Sequence, residues 1–438
     1  MYPLRPMKAY VLERVWDDPA CAERVERVLT GCDEQPDEVV TVTDSNLPEV
    51  TAELQELWPP ESTSPGVEPT YYRPLVFTTL ELGEEKTDVK ALSEGCPENS
   101  EGLLKHLYGQ FSTITEQHER NADVEKNMVC WPTFDFNTMT GCPHGCRYCV
   151  DGQYGKWIAM AVNLEDYIEQ VVGPTIEEKQ YQKCFRLLGL GADQVVFEPE
   201  YGMFDLFTQK LAEYDNRYGY FHTASAHVDW IAELPHKDRL IGIFSVTCDQ
   251  VASRIEPGAG EAIGRFKAGE KCCEMGIPVR YKFKPIVPAK GWRESYSKAI
   301  ENALKIGNSE SLGFCVLMWM DYETMIDRID PEEFDPEYLK AAQDAQDEMK
   351  DVRTGPFPPD VRREIYQFFI REIRRHDSDI PIYLSTESRD MWDDLRDELG
   401  QDPKAFFCGC SPVALPGGHL SLSPECPYST YAALDSKK

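Results

Sequence analysis

Between residues 133 and 320 the sequence alternates short apolar runs with amphipathic stretches, and this alternation limits the possible folds more than any other feature. The apolar runs predict strands over 133–138, 184–191, 219–225, 240–247, 279–287 and 313–320. The stretches between them predict helices over 164–182, 203–216, 228–234, 260–275 and 292–306. Because parallel neighbours need a crossover connection, strands that alternate with helices indicate an α/β fold with a parallel sheet.

The flanking segments show a different pattern and predict further regions. Short apolar and amphipathic runs near the start indicate a small βαβ-like unit, with strands over 8–12 and 39–42 and helices over 20–29 and 48–57. Proline and serine between residues 58 and 70 indicate a linker. The predicted segments are the βαβ-like unit (1–57), the linker with an acidic, partly helical piece (58–130), the core (131–320), and an acidic insertion with a C-terminal α/β extension (321–438). The extension contains predicted helices over 360–375 and 390–399, a strand over 380–384, and a loop-like tail from residue 412.

The array Cys142-Pro143-His144-Gly145-Cys146-Arg147-Tyr148-Cys149 follows the first core strand. Three thiolates in Cys-x3-Cys-x2-Cys spacing can each hold one iron of a [4Fe–4S] cube, which leaves the fourth iron open to a substrate or cofactor. An open coordination position is typical of metal sites that perform chemistry. A structural zinc site with His144 as fourth ligand is one alternative, and a disulfide is another. Zinc sites, however, usually take their thiols as two Cys pairs.

The net charge of −31, from 76 acidic and 45 basic residues, limits the partners. A surface this acidic repels nucleic acid unless a basic patch reverses the field locally. No run of 18 apolar residues predicts a membrane span. The first 17 residues are too charged to contain the apolar part of a signal peptide. The 15 cysteines therefore indicate reduced thiols and a cytoplasmic protein.

Several stretches resemble the spore photoproduct lyase family of radical S-adenosylmethionine (SAM) enzymes. Besides the cysteine array, they are Asn163-Leu164-Glu165, Phe244-Ser245-Val246-Thr247, Arg254-Ile255-Glu256-Pro257-Gly258, Pro285-Ile286-Val287, Gly291-Trp292, and Ile382-Tyr383-Leu384-Ser385-Thr386-Glu387-Ser388. The resemblance implies an incomplete six-stranded (β/α) barrel, with the cysteine loop at the carboxyl rim where such folds place their chemistry. It also implies a [4Fe–4S] cluster and SAM as cofactors. The enzyme would cleave SAM to a 5′-deoxyadenosyl radical for hydrogen abstraction or radical addition, with a flavodoxin or ferredoxin as electron donor.

The resemblance also implies roles for individual residues. Cys142, Cys146 and Cys149 would hold the cluster. Tyr148 would flank the SAM adenine, and Asp193 would lie near the SAM amino group.

Ser245 and Thr247 match polar SAM contacts of the family, and Arg254 matches an arginine near the SAM carboxylate, an anion that its guanidinium suits. Two alternatives remain from the residues alone: Asp193 as a helix cap and Arg254 as a surface ion pair.

Two departures from the family pattern concern the substrate. The repair enzyme has a cysteine hydrogen donor just before the acidic position, whereas this chain reads Leu188-Gly189-Leu190-Gly191-Ala192-Asp193. Ala224 stands where the repair enzyme places a lysine. With the acidic charge, these departures predict a small organic substrate rather than nucleic acid. The alternatives are a DNA photoproduct (thymine dimer) repair lyase and, in another class, a non-catalytic iron–sulfur electron carrier.

A second thiol motif, Cys408-Gly409-Cys410, follows the predicted C-terminal helix, and Cys426 lies further on. A Cys-x-Cys pair can bind a soft metal, ligate a second cluster or donate the missing hydrogen atom. We therefore predict Cys408 and Cys410 as catalytic candidates, with two ordinary loop cysteines as the alternative. His222 and His227, around the end of the third strand, are candidate polar groups at the barrel mouth.

Overall fold

The computed structural model describes residues 3–57, 73–149, 157–187, 191–426 and 428–435. The predicted linker over 58–70 and residues 188–190 lie outside the described residues. The strands are β1 (Lys8–Leu12), β2 (Glu38–Val42), β3 (Leu75–Thr78), β4 (Ile114–Gln117), β5 (Met128–Val129), β6 (Thr133–Phe136), β7 (Met139–Thr140), β8 (Ile158–Ala161), β9 (Cys184–Leu187), β10 (Tyr218–Thr223), β11 (Leu240–Ser245), β12 (Val279–Ile286), β13 (Ser309–Val316), β14 (Ile382–Leu384), β15 (Glu387–Ser388), β16 (Ala414–Leu415) and β17 (His419–Leu420).

The helices show how local sequence sets element boundaries. They are α1 (Pro19–Thr30), α2 (Leu47–Leu57), α3 (Val89–Ser93), α4 (Glu101–Leu107), α5 (Arg120–Glu125), α6 (Leu164–Tyr167), α7 (Gly173–Glu178), α8 (Met203–Ala212), α9 (Asp249–Arg254), α10 (Ala262–Glu274), α11 (Trp292–Lys305), α12 (Tyr322–Arg328), α13 (Pro336–Asp344), α14 (Gln346–Met349), α15 (Pro359–His376), α16 (Arg389–Leu399) and α17 (Thr430–Asp435). The Ser388 side chain caps α16 by accepting from Met391 N, and Gly400 ends it with φ +68°.

The core is a parallel sheet in the order β14-β13-β12-β11-β10-β9-β6, with β4 added antiparallel at the β6 edge. The six predicted core strands are all present, and β14 adds a seventh parallel strand. The predicted mixed α/β fold with a parallel sheet is therefore confirmed.

Four of the five predicted crossover helices are present among the described residues, and two of the five segments differ in geometry from the prediction. The helix predicted over 164–182 starts as α6, passes through a π-helical turn at Ile168–Val172 and continues as α7. The segment predicted over 228–234 forms only a short 3-10 turn, Asp229–Glu233.

A second, smaller sheet has the order β2-β1-β3-β8-β7. Its β1, α1, β2 and α2 coincide with the predicted βαβ-like unit, and α1 starts where Asp18 accepts from Ala20 N and Cys21 N. The other strands come from residues beyond 57, and β8 lies within the predicted core. Strand pairing therefore joins the N-terminal unit to the segment that contains the cysteine loop.

The C-terminal region departs from the predicted loop-like tail. Residues 414–420 form the β16–β17 hairpin, and α17 follows near the end of the chain. The reason is tertiary, because the hairpin segment is held against the amino ends of the core strands by long-range hydrogen bonds. Among the described residues, none of the helices has both the length and the apolar character that a bilayer crossing requires.

Candidate active site

The cysteine loop begins directly after β7, a strand of the smaller sheet, and lies at the carboxyl edge of the core sheet, where His144 contacts Asp193. Gly141 has φ +87°, and a Cβ there would lie 2.4 Å from Trp157 O. Gly145, between the first two cysteines, has φ +63°. Both backbone conformations are ones that side chains strongly disfavour, so glycine permits the two turns that bring the loop back on itself.

His144 anchors this loop to the sheet. Its Nε2 lies 2.8 Å from Asp193 Oδ2, and its Nδ1 lies 2.9 Å from Gly258 O. Asp193 Oδ2 also accepts from Thr223 Oγ1 at 2.7 Å and from Ala224 N at 3.0 Å. The His144 side chain is therefore committed to anchoring, and Asp193 carries no cap hydrogen bond to the short helical turn that follows it.

The three thiols lie close enough to influence one another. Burial raises the pKa of Cys146 well above its ordinary value, and Glu256, Cys149 and Cys142 add to the effect. Cations surround the backbone of the loop: Arg73 Nη1 donates to Cys142 O at 2.9 Å, and Arg328 Nη1 approaches Cys149 O at 3.5 Å.

The loop and its surroundings fit a cluster with SAM. The donor set consists of three convergent thiols, as a site-differentiated [4Fe–4S] cluster requires. Close by, the buried Asp193 Oδ1 has no hydrogen-bond partner among the described residues. A buried carboxylate oxygen without a partner is costly unless a ligand supplies a donor.

Tyr148 is held by its hydroxyl, which donates to Glu256 Oε1 at 2.5 Å. Glu256 also pairs with Arg265 at 2.5 Å, and both of these charged side chains are almost fully buried. Burial raises the pKa of Tyr148, followed by the charges of Cys146 and Glu256. The Tyr148 ring is thus fixed beside the cysteine loop, and its predicted contact with adenine stays a prediction.

The remaining predicted SAM contacts are not all at the rim. Ser245, at the end of β11, lies within 2.9 Å of His222 Nε2. Thr247 is buried and faces the Tyr296 hydroxyl at 3.2 Å. The Arg254 side chain is 61% exposed and pairs with Glu333 at 2.8 Å. This is the arrangement of the surface ion-pair alternative, and the predicted contact of Arg254 with the SAM carboxylate stays untested.

Basic and polar side chains line the interior of the core sheet below this rim. Arg186 on β9 pairs with Asp135 on β6. Lys282 and Lys284 project from alternate positions of β12, and Lys284 Nζ lies 4.6 Å over the Trp319 ring and 3.3 Å from Thr386 Oγ1. The interior is therefore basic although the chain as a whole is strongly acidic.

These charges perturb the neighbouring titrating groups. Burial lowers the pKa of His222 well below its ordinary value, and the charges of Lys282, Arg186 and Lys284 lower it further, so the imidazole is neutral. Burial raises the pKa of Asp135 to about 6 against the opposing effect of Arg186.

The C-terminal segment around Cys408-Gly409-Cys410 closes the amino end of the sheet. Arg280, fully buried near the start of β12, donates to Gly409 O at 2.7 Å and to Ala414 O at 3.1 Å, and pairs with Glu310 at 2.8 Å. Cys184, the first residue of β9, donates to Ala414 O through its thiol. We call residues 408–415 the floor segment. It lies opposite the cysteine loop, roughly 13 Å from the carboxyl end of β12 measured at Lys282.

Cys410 points from the floor segment toward the interior. Its Sγ accepts from Lys282 Nζ at 2.8 Å and lies 3.6 Å from Cys408 Sγ. The hydrogen bond from Cys408 lowers the pKa of Cys410 well below its ordinary value, and Lys282 lowers it further despite burial. Burial would lower the pKa of Lys282, but the Cys410 charge outweighs this and raises it. The pair is therefore a thiolate and an ammonium, with Cys408 as the neutral thiol.

Sequence reasoning missed Asp135, Arg186, Lys282, Lys284 and Tyr383. The signal was available in part, because Arg280-Tyr281-Lys282-Phe283-Lys284 alternates basic and aromatic residues within a strand of a buried parallel sheet. Such strands ordinarily read as continuous apolar runs. Alternating cations there indicate one face that lines a polar interior.

Three polar atoms in this interior lack partners among the described residues: Asp135 Oδ1, Arg186 Nε and the Tyr383 hydroxyl. Unsatisfied buried donors and acceptors of this kind mark places where a ligand or ordered water binds. They surround the same interior that Cys410 faces, so this region has the character of a substrate site.

The chain is similar to known proteins in sequence over part of its length and in overall fold. Residues 132–328 match the family model of spore photoproduct lyase. These residues belong to the spore photoproduct lyase family of radical SAM enzymes. No curated protein sequence matches the chain.

Solved structures of spore photoproduct lyase share the fold at low sequence identity. A tyrosine-to-phenylalanine variant superposes with a TM-score of 0.58 at 16% identity, over 87% of this chain and 98% of that one. A cysteine-to-alanine variant with dinucleoside spore photoproduct gives 0.58 at 18% identity, with the same coverage of 87% and 98%. A double variant with bound AdoMet and dinucleoside spore photoproduct gives 0.56 at 17% identity, again over 87% and 98%.

The family match, together with a matching lyase structure that holds AdoMet, supports a radical SAM enzyme of the lyase type for this part of the chain, with a [4Fe–4S] cluster and SAM as its cofactors. The expectation of a small organic substrate rather than nucleic acid is wrong, because the matching lyase structures hold a dinucleoside photoproduct. That expectation relied on net charge as well as on the two departures from the family pattern. Net charge describes the average surface field, whereas a substrate meets the local field of the interior, which here is basic.

Proposed function

We propose that this chain is a radical SAM lyase that acts on a pyrimidine photoproduct of nucleic acid, with Cys410 as the hydrogen-atom donor to the product radical. The observation that carries the proposal is the position of Cys410. Cys410 is half-buried, and its sulfur faces the basic interior on the side opposite the cysteine loop. A reacting base placed between the loop and the floor segment would have the two reactive centres on opposite faces.

In this proposal Cys142, Cys146 and Cys149 hold the cluster. When bound, the cluster and SAM supply a 5′-deoxyadenosyl radical that removes a hydrogen atom from the substrate. Asp193 Oδ1, which has no partner among the described residues, accepts from the SAM amino group. His144 holds Asp193 in that orientation through the opposite oxygen. Ser245 and His222 extend the polar lining beside it.

The basic interior suits an anionic, hydrogen-bonding substrate. Arg186 is balanced by Asp135, and Lys282 by the Cys410 thiolate, which leaves the positive charge of Lys284 uncompensated by these groups. Because burial lowers the pKa of Lys284, an anionic group on the substrate would stabilise its charged form. A phosphodiester next to the damaged bases supplies such a group. Lys284 thus supplies a positive charge to the site, whereas Ala224 occupies the position at which the repair enzyme has a lysine.

The floor segment supplies the hydrogen atom. A proton from Cys408 or Lys282 converts the Cys410 thiolate into a thiol, since both donors contact its sulfur. The S–H bond then breaks as a C–H bond forms on the product radical, and the unpaired electron moves to sulfur. A thiolate at Cys408, 3.6 Å away, stabilises that sulfur radical by sharing the electron. In this proposal the hydrogen-atom donor lies in the C-terminal region, whereas the repair enzyme has its donor cysteine just before the position of Asp193.

The test uses the anaerobically reconstituted protein with dithionite, SAM and the dinucleoside monophosphate form of the spore photoproduct, which keeps the phosphodiester. We expect formation of the repaired thymine dinucleoside together with 5′-deoxyadenosine. Cys410→Ala should still form 5′-deoxyadenosine but should lose at least about 90% of the repaired product, since a single donor is replaced. Cys184→Ala is the matched control, because this thiol also lies at the floor but bonds to Ala414 O.

Two outcomes would overturn the proposal. The substrate assignment fails if the wild type yields no more repaired dinucleoside than a Cys142→Ala variant. The donor assignment fails if Cys410→Ala repairs as well as Cys184→Ala does.

A further inference from the structure

A second group of potential metal ligands lies beside the core interior, close enough for His118 to influence Asp135 and for Cys130 to influence Lys284. The ligand atoms of His118, Asp123 and Cys130 all lie within 4.8 Å of one another. His118 directly follows β4, Asp123 lies on α5, and Cys130 directly follows β5. Three side chains from a stretch of thirteen residues therefore converge on one point, although α5 separates the two strands.

Asp123 and Cys130 are buried, and buried polar atoms need hydrogen-bond partners or a bound ion. Asp123 is 6% exposed and Cys130 is 3% exposed. No hydrogen bond from the described residues reaches Asp123 Oδ2, although His118 Nδ1 lies only 3.2 Å away. The nitrogen and oxygen are thus close, in a contact that is longer and less well aligned than a strong charged hydrogen bond. Ligands that share a metal ion have this relation, because each points at the ion and not at its neighbour.

A hydrogen-bonded relay of thiol, imidazole and carboxylate would look different. In a relay the sulfur and the carboxylate oxygen contact opposite ring nitrogens, which places them roughly 7 Å apart. The observed 4.8 Å limit holds for every pair in the group, including sulfur and oxygen. The convergent arrangement therefore fits coordination and not nucleophile activation.

The backbone of the group is held firmly. Cys130 N donates to Thr430 Oγ1 at 2.9 Å, and Thr430 N donates to Cys130 O at 2.8 Å. Thr430 is the first residue of α17, which packs against α5 and β5. An ion at this point would therefore join the β4 edge, α5, β5 and the C-terminal helix.

We propose that His118, Asp123 and Cys130 bind one divalent transition-metal ion of the zinc type. The nitrogen, oxygen and sulfur donors are the set that zinc accepts, in tetrahedral geometry with water at the fourth position. A thiolate and a carboxylate supply two negative charges, which balance the charge of the ion. The site uses none of the three thiols of the cysteine loop.

The test is metal analysis of the reconstituted holoprotein after dialysis with zinc and removal of loose ions. We expect about one zinc per chain in the wild type and less than about 0.1 in His118→Gln and Cys130→Ser, as a three-ligand site requires. Iron and sulfide should be unchanged, which separates this site from the cysteine loop. Cys272→Ser is the matched control, because Cys272 is equally buried but lies on α10. It should keep the zinc.

A second measurement covers the case in which a variant folds poorly. Cobalt added to the wild-type holoprotein should give a sulfur-to-cobalt charge-transfer band that Cys130→Ser lacks, and a chelator should lower the melting temperature of the wild type only. If the wild type takes up no zinc beyond that of Cys130→Ser and gives no cobalt–thiolate band, the group is an imidazole–carboxylate ion pair beside a thiol. The proposal would then be wrong.

Discussion

At the scale of single residues, the proposed site depends on a few buried charged side chains. Each has a polar partner in the protein and an atom that serves a ligand or the reaction. Asp193 uses Oδ2 for His144, and its Oδ1 has no partner among the described residues. The Cys410 thiolate is stabilised by Cys408 and Lys282. Because these groups are buried, removing one partner leaves the other exposed to the full cost of desolvation. Substitutions at such pairs should therefore have large and specific effects.

Lys282→Met should raise the pKa of Cys410 toward that of an ordinary thiol. The depressed pKa keeps Cys410 as a thiolate at neutral pH and well below it, whereas an ordinary thiol with a pKa of about 8.5 is only a few per cent ionised at pH 7. Alkylation of Cys410, followed by mass spectrometry across pH, should slow at least about tenfold at pH 7 in the variant. Lys284→Met is the control, since Lys284 Nζ bonds to Ser385 and Thr386. An unchanged pH profile in Lys282→Met would contradict the thiolate assignment.

Asp193→Asn should weaken SAM binding by about 1.5–3 kcal/mol, the contribution of a charge-assisted hydrogen bond. Calorimetry on cluster-loaded protein measures this, with iron content checked because Asp193 also anchors His144. Asp229→Asn, an exposed ion-pair partner of Lys271, is the control. Equal affinity in Asp193→Asn and wild type at equal iron content would remove Asp193 from the SAM site. Arg254→Ala in the same assay tests the other prediction from the family.

At the scale of elements, the cysteine loop packs against the turn that follows α9. Gly258 N donates to His144 O at 2.8 Å, and Arg147 N donates to Ile255 O at 2.9 Å. The segment after α9 thereby forms one side of the loop's support. This contact leaves no space for a side chain at Gly258.

Gly258→Ala should displace the cysteine loop and reduce cluster loading. A Cβ at this position would lie 2.5 Å from His144 O and 2.8 Å from His144 Cα, both backbone atoms that cannot move without the loop. Iron analysis and the visible absorbance after reconstitution should show at least about half of the cluster lost. Gly264→Ala on α10 is the control, because its nearest contact is an ordinary 3.5 Å and alanine favours a helix interior. Full loading in Gly258→Ala would mean that the loop tolerates the shift.

At the scale of the whole molecule, charge is distributed unevenly. The chain carries −31 overall, yet Arg186, Lys282 and Lys284 lie inside the core. Mutual repulsion of surface carboxylates destabilises the folded state, and dissolved salt screens it. The interior pairs are much less sensitive to salt because water and ions reach them poorly.

The melting temperature should therefore rise as sodium chloride increases from about 0.1 to about 1 M, over which the screening length falls from about 10 to about 3 Å. Differential scanning calorimetry of the holoprotein measures this. Chloride is preferred to sulfate because sulfate also strengthens apolar burial. A melting temperature that stays constant or falls over this range would show that surface repulsion is not a major destabilising factor here.

The amino-acid sequence by itself determined the order of core strands and helices and the identity of the cysteine loop. Both are local: apolar runs specify strands over a few residues, and the Cys-x3-Cys-x2-Cys spacing lies within eight residues. The turns of the loop also follow locally from Gly141 and Gly145. For these features, neighbours along the chain supply the physical cause.

Only the tertiary structure decided what lines the core interior and what closes it. Lys282 and Cys410 are 128 residues apart, so their pairing follows from where the C-terminal segment meets the sheet. Arg280 positions the C-terminal segment against the sheet by donating hydrogen bonds to Gly409 O and Ala414 O. The loop-like tail predicted from proline and glycine becomes the floor because buried carbonyls need donors that residues nearby in the chain do not supply. The basic interior also forms from residues that are distant in the chain. Net charge does not reveal such a local field, which is one reason why the expectation about nucleic acid was wrong.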